Sequence, residues 1–224
     1  MSLNILKQNY QKIKNLLPEN VQLIAVSKTH SVESIQKIYD CGQRIFGENK
    51  VQELTEKYPL LPEDIRWHLI GHLQTNKVKY IAEFIDTIES VDSEKLLQEI
   101  DKQAAKYQRK IKVLLQIKIA EEDTKFGLTK EEAEQIFTQY LNGEFPNIEL
   151  TGLMGMATFT ENQLQVKQEF SKLKKIFDEF SLRKPLQTLS MGMSDDFPLA
   201  IECGSNSVRV GSAIFGHRNY NSAN

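Results

Sequence analysis

Eight times along this chain a short apolar run is followed by a longer polar or amphipathic segment, and that alternation constrains the fold more than any single residue. A short apolar run bounded by turn signals reads as a buried strand, and a longer segment with helical spacing reads as the helix that covers it. After an opening helix over about 2–17, V-Q-L-I-A-V-S at 21–27 is the first strand. Ser31 then starts a helix that ends before Gly42, a residue suited to a left-handed cap. A strand at 44–46, a helix from about 48, a strand at 65–70 and a helix from about 74 come next. A fourth strand at 84–88 leads to Ser93, placed as the N-cap of the helix after it. I-K-V-L-L-Q-I-K-I at 111–119 is the clearest strand, and Thr129 and Glu132 have capping-box spacing beyond it. Strand 148–153 precedes a helix that lines up Val166, Phe170, Leu173, Phe177 and Phe180, with Glu169, Lys172, Lys175 and Asp178 largely off the stripe. Short strands at 188–189 and 207–210 complete the set.

Eight such units with no linker between them predict one (β/α)8 TIM barrel domain over 1–224, with helix 2–17 packing on the barrel. The rival architecture is a doubly wound open sheet. It would normally carry a Gly-rich first turn, and no G-x-G-x-x-G stands there.

At 224 residues and 40% hydrophobic, the chain can bury one barrel-sized core. A net charge of −2, with acids interleaved among the lysines, gives no reason to expect nucleic acid or an anionic membrane as partner. Cys41 and Cys203 lie far apart, and no His/Asp/Glu spacing suggests a metal. The N-terminus lacks the apolar core of a signal peptide, and no run has membrane-spanning length. The expectation is a cytoplasmic protein.

Lys28 follows the first strand directly, and the C-terminal end of a barrel strand is where such folds place chemistry. Desolvation there favours the neutral amine, the form that attacks an aldehyde. Taken alone, a lysine at a strand end is more often a surface residue. G-M-S at 192–194 and R-V-G-S at 209–212 follow the last two strands, where barrels commonly bind phosphate through backbone N–H groups and hydroxyls. Either loop alone is ordinary turn chemistry; both together, with the strand-end lysine, form a constellation. Arg209 is either an inward donor to a cofactor ring nitrogen or half of a surface ion pair, and the residues alone leave these readings even. His68, in I-R-W-H-L-I, points inward by alternation, where a satisfied core histidine is the commoner outcome. His30 and His217 fall in loops. Asp195 and Asp196 are placed to cap the following helix.

Five segments in order carry a resemblance that spans nearly the whole chain. They are A-V-S-K-T at 25–29, F-G-E-N-K-V-Q-E at 46–53, W-H-L-I-G-H-L-Q-T-N-K at 67–77, L-S-M-G-M-S-D-D at 189–196 and R-V-G-S-A-I-F-G at 209–216. The sequence resembles the YggS/PROSC (PLPBP) family of pyridoxal 5′-phosphate (PLP) homeostasis proteins, whose fold is similar to the N-terminal domain of alanine racemases. The resemblance implies that Lys28 holds PLP covalently as a Schiff base and that Asn49 lies beside the cofactor ring. It implies that Ser194, Gly211 and Ser212 hold the phosphate and that Arg209 faces the pyridine nitrogen, with Ser190, Gly192 and Met193 lining the same pocket. Many members have proline where this chain has His72, which leaves that position open.

The implied role is a carrier or regulator in intracellular vitamin B6 and amino-acid/keto-acid homeostasis, without efficient catalysis. Its expected partners are PLP and PLP-dependent apoenzymes or regulatory proteins, and the expected state is a monomer. A racemase-like enzyme is the alternative. It would need a second base, which racemases draw from a C-terminal β domain that this sequence is expected to lack, and an arginine on the ring nitrogen makes PLP a poorer electron sink. A Schiff-base aldolase acting on a phosphorylated sugar would use the same lysine and loops without PLP.

Overall fold

The computed structural model describes residues 3–121 and 126–216. Its eight strands are β1 (Gln22–Val26), β2 (Ile45–Glu48), β3 (Arg66–Leu69), β4 (Thr87–Val91), β5 (Ile111–Gln116), β6 (Ile148–Met154), β7 (Thr188–Ser190) and β8 (Ser207–Val210). They pair in parallel, each with its sequence neighbour, and β1 pairs with β8 to close the barrel. Helices α1 (Leu3–Leu16), α2 (Val32–Asp40), α3 (Val51–Lys57), α4 (Glu94–Lys106), α5 (Lys130–Leu141), α6 (Gln163–Ser181), α7 (Phe197–Glu202) and α8 (Ser212–Phe215) accompany them. The (β/α)8 expectation holds, and the open-sheet rival falls with the closure.

Alternation along each strand sorts side chains to two faces. Leu23, Ala25, Phe46, Trp67 and Leu69 point outward and share one core with helix residues such as Ile35, Ile38, Leu54 and Phe170. Gly47 points inward, where an added Cβ would lie 2.9 Å from Ile24 Cγ2 and 3.1 Å from Ile70 Cδ1. Such interiors are usually filled by branched apolar residues. Here His68, Glu89, Ser190 and Arg209 are buried polar groups on β3, β4, β7 and β8.

Two elements differ from the sequence expectation. The helix expected from 74 is a 3-10 turn, Thr75–Tyr80, because Thr, Asn, Val and Tyr are weak helix formers and the segment has only one buried position, Val78. The strand expected at 84–88 runs from Thr87 to Val91, since Ile81, Ala82 and Ile85 are buried by the turn that precedes it. Its β5 pairing shifts register between Ile88 and Val91, across Glu89 and Ser90. The stripe on α6 also needs one amendment. Glu169 is buried, accepting from Thr158 N at 2.6 Å and Thr158 Oγ1 at 2.7 Å, and so ties the loop after β6 to the helix. Among the described residues no helix is long and apolar enough to cross a membrane.

Candidate functional site

A cleft of about 480 Å³ opens at the C-terminal ends of the strands. Val26, Lys28 and His30 line it from the exit of β1, Asn49 from β2 and Ile70 from β3. Met156 and Phe159 come from the loop after β6, Met193, Ser194 and Asp195 from the loop after β7, and Arg209, Gly211 and Ser212 from β8 and the start of α8. Thus seven of the nine residues singled out in the sequence meet in one space. Ser190 and Gly192 do not line it; they stand behind it and shape it.

The chain on both sides of Lys28 is fixed by β2 and α3. Ser27 Oγ donates to Glu48 Oε1 at 2.6 Å, and the Thr29 amide donates to Glu53 Oε1. Thr29 has φ of +66°, a left-handed conformation that a β-branched residue adopts only when its surroundings impose it. The buried Lys57 ammonium joins these groups, donating to Ser27 O at 2.8 Å, Glu48 Oε1 at 2.7 Å and Glu53 Oε1 at 2.6 Å. Burial pushes the Glu48 carboxyl above its ordinary pKa, against the pull of Lys57.

The loops after β7 and β8 converge on one atom. Ser194 Oγ, from the loop after β7, accepts from the Gly211 amide at 3.2 Å and the Ala213 amide at 3.4 Å, so two backbone donors of the segment after β8 already surround a single oxygen. Gly192 has φ of +101°, and a Cβ there would lie 2.7 Å from Ala200 Cβ and 2.9 Å from Phe197 Cα. Only glycine fits that turn without displacement. Asp196 occupies the N-cap position of α7, but its carboxylate turns back to accept from the Met193 amide at 2.6 Å and makes no side-chain cap bond. It braces the 192–194 loop instead of capping the helix. Burial raises its pKa. Asp195 makes no cap either; it lies on the cleft wall.

Arg209 is buried at the cleft floor, not paired on the surface. Its Nη1 donates to Ser190 Oγ at 2.6 Å and its Nη2 to Gly155 O at 3.0 Å, while Nη1 lies 3.8 Å from Glu89 Oε2. Among the described residues, two of the guanidinium's five N–H donors are therefore engaged below the cleft. His68 points inward, with Nδ1 2.7 Å from Glu89 Oε1 and Nε2 3.6 Å from Asp86 Oδ2. Glu89 escaped the sequence reading. Its signal was a carboxylate inside the apolar frame I-E-S-V, which the misplaced fourth strand ended just short of.

The model of the alanine racemase N-terminal domain matches residues 1–219. The Pasteurella multocida pyridoxal phosphate homeostasis protein is 40% identical over 210 residues, 91% of this chain and 89% of its own. The chain belongs to the pyridoxal phosphate homeostasis protein family. A second member, from Aquifex aeolicus, is 41% identical over 202 residues, covering 89% of this chain and 88% of its own. The structure of PipY of Synechococcus elongatus PCC7942 with PLP bound superposes with a TM-score of 0.85 at 33% identity, covering 94% of this chain and all of that one.

Two family motifs reach past the main cleft. A neighbouring cleft of about 470 Å³, lined by Lys50, Gln52, His72, Gln74 and Lys77 among others, shares Asn49 as a common wall. His72, the position left open in the family pattern, bonds Asp92 Oδ2 through Nδ1 at 2.8 Å and stacks on Phe126 with ring centroids 4.0 Å apart. His30 stacks on Phe215 at 4.7 Å, closing one side of the main cleft. His217 lies outside the described residues. Among the described residues no group of His, Cys, Asp or Glu could hold a metal ion.

Proposed function

We propose that this chain binds PLP in the main cleft as a single barrel domain over 1–224, and that Lys28 holds it as a Schiff base. The fit rests on the chemistry and position of the groups present. PLP carries an aldehyde, a ring nitrogen and a phosphate, and the cleft offers an amine, a buried guanidinium and a two-loop oxygen cradle in one space. That convergence is the observation that carries the reading.

When bound, PLP supplies a reactive aldehyde and an electron-withdrawing ring. Lys28 adds through its amine nitrogen and water leaves. Ser194 and Ser212 take the phosphate through their hydroxyls, and Gly211 through the amide that now bonds Ser194 Oγ, while Gly192 gives the Ser194 loop its turn. Arg209 faces the pyridine nitrogen and donates to it without surrendering its own proton, so the nitrogen stays unprotonated. Asn49 and Met193 bound the ring from the sides, and Ser190 holds Arg209 from beneath.

An unprotonated ring nitrogen weakens PLP as an electron sink. The function this supports is reversible custody of PLP in vitamin B6 and amino-acid/keto-acid homeostasis, not efficient turnover of an amino acid. PLP-dependent apoenzymes or regulatory proteins are the partners the role calls for, with the chain acting as a monomer in the cytoplasm. Purified protein with PLP should show a visible Schiff-base band, borohydride should fix a pyridoxyl group on Lys28, and alanine racemisation should be negligible. Robust racemisation would overturn the carrier reading.

A further inference from the structure

The floor of the cleft is one end of a longer polar row. From the N-terminal side of the barrel inward, Lys112 Nζ stands 3.5 Å from Asp86 Oδ1, and Asp86 Oδ2 is 3.6 Å from His68 Nε2. His68 Nδ1 is 2.7 Å from Glu89 Oε1, Ser190 Oγ donates to Glu89 Oε2 at 2.6 Å, and Arg209 Nη1 donates to Ser190 Oγ at 2.6 Å. With His68 protonated, the charges alternate in sign from a partly exposed lysine to the arginine of the cleft.

Nothing in packing demands this arrangement. Glu89 is 0% and Arg209 4% exposed, and charges so placed are costly unless each faces its opposite. The β4–β5 register shift falls across Glu89, and irregularities of this kind re-aim a side chain. Burial works to strip the proton from His68, but the hydrogen bonds and charges of Asp86 and Glu89 outweigh it and raise the imidazole pKa. Asp196, at the N-cap position of α7, also acts on Arg209.

We propose that Glu89, anchored by His68, is a positioning residue for Arg209. It fixes the guanidinium through Ser190 and balances its charge, so that the row, not Arg209 alone, sets the field felt at Lys28. This rests on the reading of Arg209 as the partner of the pyridine nitrogen.

The signature is a pair of opposite shifts. Glu89→Gln removes the negative charge nearest Arg209, so the Schiff-base nitrogen should lose its proton at a pH about half a unit lower or more. This holds even where His68 loses its proton too, since Glu89 is the nearer of the two to Arg209. His68→Asn removes a positive charge and should shift the same titration upward. Ser190→Ala keeps every charge, so it should weaken PLP binding several-fold and leave the titration in place. A merely structural role would lower affinity in all three and produce no opposed shifts.

The measurement is a pH titration of the visible band for wild type and each variant, with folding checked by circular dichroism. Opposed shifts bear the proposal out; shifts of the same sign, or none, overturn it. A wild type with no band sinks the PLP reading instead. Nitrogen NMR of the wild-type apoprotein then decides the row, as it also does where a variant fails to fold. His68 doubly protonated at pH 7 supports it, and a neutral ring refutes it.

Discussion

Lys28 differs from an ordinary lysine at a strand end because its neighbours are held on both sides. Ser27 is fastened to Glu48 of β2 and Thr29 to Glu53 of α3, and Lys57 ties those acids together. Around the cleft, glycine is required at 192, where a left-handed backbone and the close approach of Ala200 and Phe197 coincide. Gly192→Ala should cost about 1–3 kcal/mol of stability in urea denaturation and weaken PLP binding, because the loop that carries Ser194 must shift. Most cleft residues were legible from sequence, since Lys28, Ser194, Gly211 and Ser212 sit at strand ends in recognisable motifs. Arg209 was legible as a candidate, but its direction was not, because one residue of alternation cannot tell a barrel interior from a surface pair. Glu89 was hidden. A carboxylate inside a strand is paired by residues distant in sequence, here His68 and Arg209, and no local pattern announces such partners.

At the level of elements, local chemistry predicted three helix starts well. Ser31 accepts from the Ser34 amide and Ser93 from the Leu96 amide, while Thr129 and Glu132 form both bonds of a capping box. Thr129→Ala should therefore lower stability by about 1 kcal/mol, read as a lower denaturation midpoint with an unchanged slope. Strand β6 carries a harsher constraint. A Cβ on Gly152 would fall 1.8 Å from Thr188 O, so the β6–β7 contact exists only with glycine there. Gly152→Ala should cost about 3 kcal/mol or more, or abolish soluble expression, because backbone rather than a flexible side chain must move. The 74–91 region was misread for a related reason. Phe84 and Ile85 gave the expected strand at 84–88 an apolar start, but Ile85 is buried with Ile81 and Ala82 at the exit of the 3-10 turn, ahead of the pairing that begins at Thr87.

For the molecule as a whole, the buried row makes stability depend on pH in both directions. Burial opposes ionisation of Asp86 and Glu89, but their bonds to His68 and neighbouring charges prevail and hold both pKa values below the ordinary range. Their contribution is present above the unfolded values near ~4 and is lost as pH falls. The His68 pKa is raised, so its contribution is complete below ~6.5 and is lost as pH rises through the folded value. The stability difference between wild type and His68→Asn should then peak at about pH 5–6 and shrink on either side; a flat profile would contradict the alternation of charge. The cleft this row supports stands at the face where (β/α)8 barrels carry their chemistry, and its whole assignment turns on one bond. That bond is tested by adding PLP to purified wild-type and Lys28→Ala apoprotein and recording the absorption spectra. The account predicts a saturable visible band in the wild type, fixed on Lys28 by borohydride, and none in the variant; an equal band in both would contradict it.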